Sequence, residues 1–244
     1  MKDYALLLFS RLRRKIGILF FTIFVVLSAT LMSCWSQTLT LHIAETTEHY
    51  AMQDIVITID PGHGGFDPGK VGVSGVLEKD INLSIASYLK NILEEQGYTV
   101  YLTRETDISL HDAGASHKKS SDMNNRIAFV AEQKTDLLIS IHQNSFSQAS
   151  VHGAQVFYYA GSSEGELLAG MIQDNIRLLA DPENARDIKG NSEYKILTAS
   201  PCTAVIVECG FLSNNTECEK LSSSEYQQLI AQSIANGIIA FLSS

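Results

Sequence analysis

Three short apolar runs constrain the fold more than any other feature: IVITID at 55–60, DLLISIH at 136–142 and AVIVE at 204–208. Each is too short for a buried helix and rich in β-branched residues, so each is expected to be a strand inside a sheet. Between and around them the pattern switches to a helical period. EKDINLSIASYLKNILEEQ at 78–96 places Ile81, Ile85, Leu89 and Ile92 on one face, with Gly97 as the stop. Helices are also expected at 124–133, 164–179 and 225–242, and further strands at 99–103 and 154–159. The polar stretch 104–122 reads as a long loop. Strands alternating with helices predict an α/β fold. We expect a single domain over 54–244, with a twisted, mostly parallel sheet flanked by helices on both faces.

A different kind of segment precedes that domain. Arg11, Arg13, Arg14 and Lys15 lead into the uncharged run IGILFFTIFVVLSATLM at 16–32. A basic flank before an apolar stretch of this length predicts an N-terminal hydrophobic helix, acting as a signal peptide or a membrane anchor over 1–35. It implies contact with the membrane and an extracytoplasmic domain, membrane-anchored or secreted. LMSC, ending at Cys34, loosely resembles a lipoprotein processing site. Residues 36–53 form the expected spacer.

The leader holds five of the 18 basic residues and one of the 27 acidic ones, leaving the rest of the chain at a net −13. So acidic a domain has no electrostatic footprint for nucleic acid. Cys34, Cys202, Cys209 and Cys218 contain no Cys-x-x-Cys pair, which argues against a thiolate metal site.

Each of the three strands runs into a group capable of chemistry. IVITID passes through Pro61 and Gly62 to His63, LLISI ends at His142, and AVIV ends at Glu208. A core strand has no packing reason to finish in a titratable side chain, and ligand sites in α/β sheets lie just beyond strand ends. Glu78, opening the first long helix, is a fourth candidate, although an acid at a helix N-terminus also has an ordinary explanation. Two histidines and two glutamates at one sheet edge fit His₂Glu ligation of zinc with a separate carboxylate beside it. The stretch ITIDPGHGGFDPG supports that reading. Six of the 16 glycines fall between Gly62 and Gly75, as a chain turning sharply around an ion would need.

DPGHGGFDPG, GVLEKDINLSIA, SIHQNS and VECGFLSN, in that order, resemble the N-acetylmuramoyl-L-alanine amidase 3 family of zinc-dependent cell-wall hydrolases. The resemblance spans about 55–242. It implies Zn²⁺ held by His63, Glu78 and His142, Glu208 as the catalytic carboxylate, and peptidoglycan as substrate, cut between the muramoyl lactyl group and L-alanine. Asn144 and Arg104 are expected to contact substrate, with turn-making for Asn144 and pairing with Glu105 for Arg104 as alternatives. Asn82, one helical turn after Glu78, is expected to support it or to be solvated. A bare catalytic domain behind a hydrophobic segment resembles the family's germination-specific members, which prepare spore cortex for muramic δ-lactam formation. The alternatives are a vegetative autolysin and a membrane-tethered, non-catalytic wall-binding protein. An activating partner protein, or zinc loading, is the expected control.

One competing motif is present. GSSEG at 161–165 matches Gly-x-Ser-x-Gly around Ser163, between an expected strand and helix. The triad order requires a later histidine, and none follows His152.

Overall fold

The computed structural model describes residues 55–244 continuously and, ahead of them, only 13–15, 17, 26–28, 30–33, 35 and 37, which are helical. Cys34, nearly all of the 36–53 spacer and much of the 16–32 run therefore lie outside the described residues. Among the described residues, no helix is long and apolar enough to cross a membrane. The chain divides into two units, 1–51 and 52–244.

The second unit runs β1 (Val56–Pro61), α1 (Glu78–Glu95), β2 (Thr99–Leu102), α2 (Lys118–Glu132), β3 (Leu137–Asn144), β4 (Gln155–Tyr159), α3 (Ser163–Leu179), β5 (Lys189–Asn191), α4 (Lys195–Thr198), β6 (Thr203–Phe211), α5 (Asn215–Leu221) and α6 (Ser224–Leu242). Its six-stranded sheet has the order β2-β1-β3-β6-β4-β5. The first four strands are mutually parallel, and β4 joins β6 antiparallel with β5 parallel to itself. The sheet is thus mixed and mostly parallel, as the alternation of strands and helices implies.

Successive strand residues face opposite sides, and each side has its own apolar cluster. Ile57, Ile59, Ile139, Val205 and Val207 pack with α1, α3 and α6 in the larger one. Leu138, Ala204, Ile206 and Phe157 pack with Val130 of α2 and with Ile196 and Leu197 of α4 in the smaller one. The expected helix layers on both faces are present. α3, α5 and α6 begin at side-chain caps, with Ser162, Asn214 and Ser223 accepting from backbone N–H groups of Gly165, Glu217 and Tyr226. The GSSEG motif is therefore the capped first turn of α3 rather than a nucleophile elbow.

The largest departure from the sequence reading is α2, which starts at Lys118 instead of 124. Its first turns carry polar side chains that tie down the preceding loop. Asp122 accepts from the Leu110 N–H at 2.6 Å and from Ser109 Oγ at 2.9 Å, while Asn125 Nδ2 donates to Leu110 O at 2.7 Å. A helix face that buries a loop through hydrogen bonds has no apolar stripe, so its period is invisible in sequence. β5, α4 and α5, all short, are further additions.

Candidate functional site

β1, β3 and β6 present their carboxyl ends along one sheet edge. Ile141 pairs with Pro61 on one side and Val207 on the other, and His142 stands in register with Glu208. Paired residues of neighbouring strands share a face, so His142 and Glu208 project on the same side as α2. That is the side with the smaller apolar cluster, and a cavity of about 200 Å³ opens there between the strand ends and α2, lined by His63, His142, Phe66, Asp67, Lys119 and Met123 among others.

His63 reaches this edge through a strained backbone. Its φ is +61°, a left-handed conformation unfavourable for a residue with a Cβ. Two glycines make room for the rings. A Cβ on Gly62 would lie 2.2 Å from His142 Cε1, and one on Gly69, itself at φ +66°, would lie 2.6 Å from Glu78 Oε2 and 2.7 Å from His63 Cδ2. The glycine-rich loop is thus what lets two imidazoles and a carboxylate pack together.

Glu78 is not a solvated helix-start acid: it is 3% exposed. Its Oε1 lies 3.2 Å from His63 Nε2 and 3.0 Å from His142 Nδ1. The same oxygen accepts from the Gln143 N–H at 3.1 Å, and Oε2 accepts from the Lys70 N–H at 2.7 Å. Burial alone would raise the Glu78 pKa, but the hydrogen bonds and charge of His142 and then His63 outweigh it and hold the carboxyl far below the usual range. For His63 burial opposes the imidazolium, while Glu78 and then Asp67 raise its pKa. Ligand atoms of His63, Glu78 and His142 all lie within 4.8 Å of one another. Two imidazoles and a carboxylate held this closely could hold a metal ion, and their nitrogen and oxygen donors are of the kind that zinc accepts. One ring edge supports this further: His63 Nδ1 faces Asp67 Oδ2 at 3.1 Å, the carboxylate–histidine arrangement that orients a metal-ligating imidazole. Asp67→Asn is expected to weaken divalent-metal affinity about 10–100-fold, measured by competition with a chromogenic chelator.

Glu208 is positioned differently. Its Oε2 is closed off from solvent and has no hydrogen-bond partner among the described residues, and burial, opposed by His142 and His63 and reinforced by the Glu78 charge, pushes its pKa up to about 7. A buried carboxyl without a donor, one strand over from a candidate ligand, needs a proton, a water or a cation as its partner. Cys209, the next residue, is fully buried in the larger apolar cluster on the opposite face.

Around these four, the expected helpers fall into different places. Asn82 is fully buried; its Nδ2 donates to Gly62 O at 3.1 Å and to Glu78 Oε1 at 3.4 Å, and its Oδ1 accepts from Gln143 Nε2 at 3.2 Å. It braces Glu78. Asn144 Oδ1 accepts from the Ser145 N–H at 2.7 Å, the turn-making alternative. Arg104 is turned inward and 2% exposed. It donates to the carbonyls of Pro61, Gly62, Thr106 and Lys79 at 2.8–3.2 Å. A guanidinium committed to four backbone carbonyls clamps the loop, while Glu105 accepts from Lys90 instead.

Two further groups at the site were not singled out in the sequence. Arg126 of α2, 2% exposed, donates to Asp60 Oδ1 at 2.6 Å, Asp122 Oδ2 at 2.7 Å, Pro61 O at 3.0 Å and His63 O at 2.7 Å. Asp60 also accepts from Thr103 Oγ1 at 2.6 Å and Ser140 Oγ at 2.8 Å. Together they form a buried polar floor beneath the histidines. Their separation in sequence hides the pairing, although Asp60 ending a strand of apolar neighbours was a clue.

Residues 57–240 match the family model described as N-acetylmuramoyl-L-alanine amidase. The germination-specific N-acetylmuramoyl-L-alanine amidase of Bacillus subtilis is 36% identical over 189 residues, 76% of this chain and 79% of that protein. Among solved structures, the CwlD amidase of Clostridioides difficile, in complex with the GerS lipoprotein, matches with a TM-score of 0.75 at 35% identity, over 78% of this chain and 99% of that one. The amidase AmiC2 of Nostoc punctiforme matches with a TM-score of 0.68 at 30% identity, over 78% and 98%.

Proposed function

The chain belongs to the N-acetylmuramoyl-L-alanine amidase family and is a peptidoglycan amidase; from that premise we propose that it is a zinc enzyme of spore-cortex maturation. His63, Glu78 and His142 hold the ion, and Glu208 is the catalytic carboxylate. When bound, the zinc supplies Lewis acidity toward the scissile carbonyl and toward the attacking water. Glu208 takes the proton from that water and returns it to the departing L-alanine amine, a shuttle suited to a carboxyl whose burial raises its pKa. Asp67 orients the His63 ring, Asn82 and the Gln143 N–H hold Glu78, and Arg104 keeps the loop in place. The observation that carries this reading is the packing of three nitrogen and oxygen donors within 4.8 Å of one another, with Glu208 in register beside one of them.

The cortex assignment rests on the name of the Bacillus subtilis relative. The basic flank and apolar run expected to form a leader over 1–35 support an extracytoplasmic domain, secreted or membrane-anchored. The Clostridioides difficile amidase was solved with a lipoprotein, which favours an extracytoplasmic partner protein for this chain as well. The test is digestion of cortex and vegetative peptidoglycan by the purified protein, with mass analysis of the products. Free stem peptides beginning at L-alanine are expected, chelation should stop their release, and zinc should restore it. His63→Ala and His142→Ala should each lower the zinc content. Equal rates on vegetative sacculi would favour an autolysin, and zinc binding without any product would favour a wall-binding protein.

A further inference from the structure

Phe66 is the residue of the glycine-rich loop that neither ligation nor loop closure explains. Gly64 and Asp67 exchange backbone hydrogen bonds at 2.9 and 3.1 Å, so Gly65 and Phe66 form the tip of a two-residue turn. Such tips favour Gly, Asn and Asp, whose backbones or short side chains suit them. Here the tip carries a phenyl ring, 43% exposed, on the wall of the cavity that also contains His63 and His142.

The ring is held rather than loose. His111 meets it edge to face with centroids 5.1 Å apart, and the Lys118 ammonium stands 5.5 Å from its centroid. The turn beneath is anchored as well: the Gly65 N–H donates to Asp107 Oδ1 at 2.7 Å, and Lys79 Nζ donates to Gly65 O at 3.1 Å. An aromatic ring 43% exposed and fixed on the wall of this cleft is suited to the C–H-rich face of a pyranose. The substrate brings such a ring to this place. In a muramoyl peptide the sugar is separated from the scissile amide only by an ether and a lactyl unit, so a saccharide subsite lies within about one sugar's length of the reacting carbonyl.

We propose that Phe66 is a stacking platform for an N-acetylhexosamine ring of the glycan strand. The proposal deepens the amidase reading and rests on it for the identity of the ligand. It is tested with glycan strands stripped of stem peptides, titrated by calorimetry into the full chain in mild detergent. Phe66→Ala and Phe66→Leu are each expected to weaken glycan binding roughly tenfold, as loss of one aromatic contact would, and Phe66→Trp to restore it. On glycan-bearing muropeptides, Phe66→Ala should raise KM by a similar factor while kcat stays within about twofold, the pattern of lost ground-state binding. Equal glycan affinity in wild type and Phe66→Ala, or restoration by leucine, would overturn the platform. Loss of glycan binding in Phe66→Ala, with no hydrolysis by any form of the protein, would retain the platform and defeat the amidase reading instead.

Discussion

Glu208→Gln is expected to lower turnover on muropeptides by about 10²–10⁴-fold, the usual worth of a positioned proton shuttle, while leaving zinc stoichiometry near that of wild type. The carboxyl sits in register with His142, but it is absent from the closely packed donor set of His63, Glu78 and His142. An amide of the same shape keeps the packing and loses the proton transfer. Parallel loss of zinc would instead make Glu208 a ligand. The same substitution has a signature in stability. In the metal-free fold the Glu208 pKa stands at about 7 against an ordinary 4.5, so the folded state disfavours its charged form. That cost begins as pH rises past the unfolded value and is complete above the folded one. Glu208→Gln should therefore raise the melting temperature of the chelated protein, and by more at pH 8 than at pH 5. A variant that is inactive yet more stable would be a residue kept for chemistry at the expense of the fold.

The second large effect is expected at Arg126. Arg126→Met should destabilise the domain by about 3–5 kcal/mol, because it leaves a buried carboxylate without its counter-charge. That corresponds to roughly 6–20 °C in melting temperature for a domain of this size. Asp60 is 2% exposed, and burial alone would raise its pKa. The charge of Arg126 and hydrogen bonds from Thr103 and Arg126 win, holding it at about 2 against an ordinary 3.8. A carboxyl with a depressed folded pKa stabilises at pH values above its unfolded pKa and loses that contribution as pH falls through the folded one. The gap between wild type and Arg126→Met should accordingly be widest above pH 4 and narrow toward pH 2, read from denaturant midpoints across that range. Adding Asp60→Asn to Arg126→Met should recover part of the loss, since the orphaned charge is then gone. Function should follow stability here. Arg126 also holds the carbonyls of Pro61 and His63, so the loop that aims His63 loses an anchor and zinc affinity should fall with it.

How the site divides between what sequence reveals and what it hides follows from the range of each interaction. The strands leading to His63, His142 and Glu208 were legible because a β-branched run announces a buried strand locally, and its last residue needs no partner to be noticed. Glu78 was ambiguous alone, since any acid suits a helix start, and became a candidate only beside the other three. Arg104 and Asn144 were ambiguous for a related reason. A polar residue beside a strand end reads the same in sequence whether it faces substrate or its own backbone. The first turns of α2 and the antiparallel seat of β4 against β6 lacked a local pattern altogether.

The sequence by itself thus determined the α/β class, the order of the main elements and the four residues proposed for chemistry, because periodicity and chain-adjacent motifs are short-range properties. Only the tertiary structure decided that Glu78 is buried between two imidazoles, that Arg126 crosses 66 residues of chain to reach Asp60, and that Phe66 lines the cleft. Those facts depend on which side of the sheet a side chain faces and on what packs over it. Neither is settled until distant segments are brought together around the same edge.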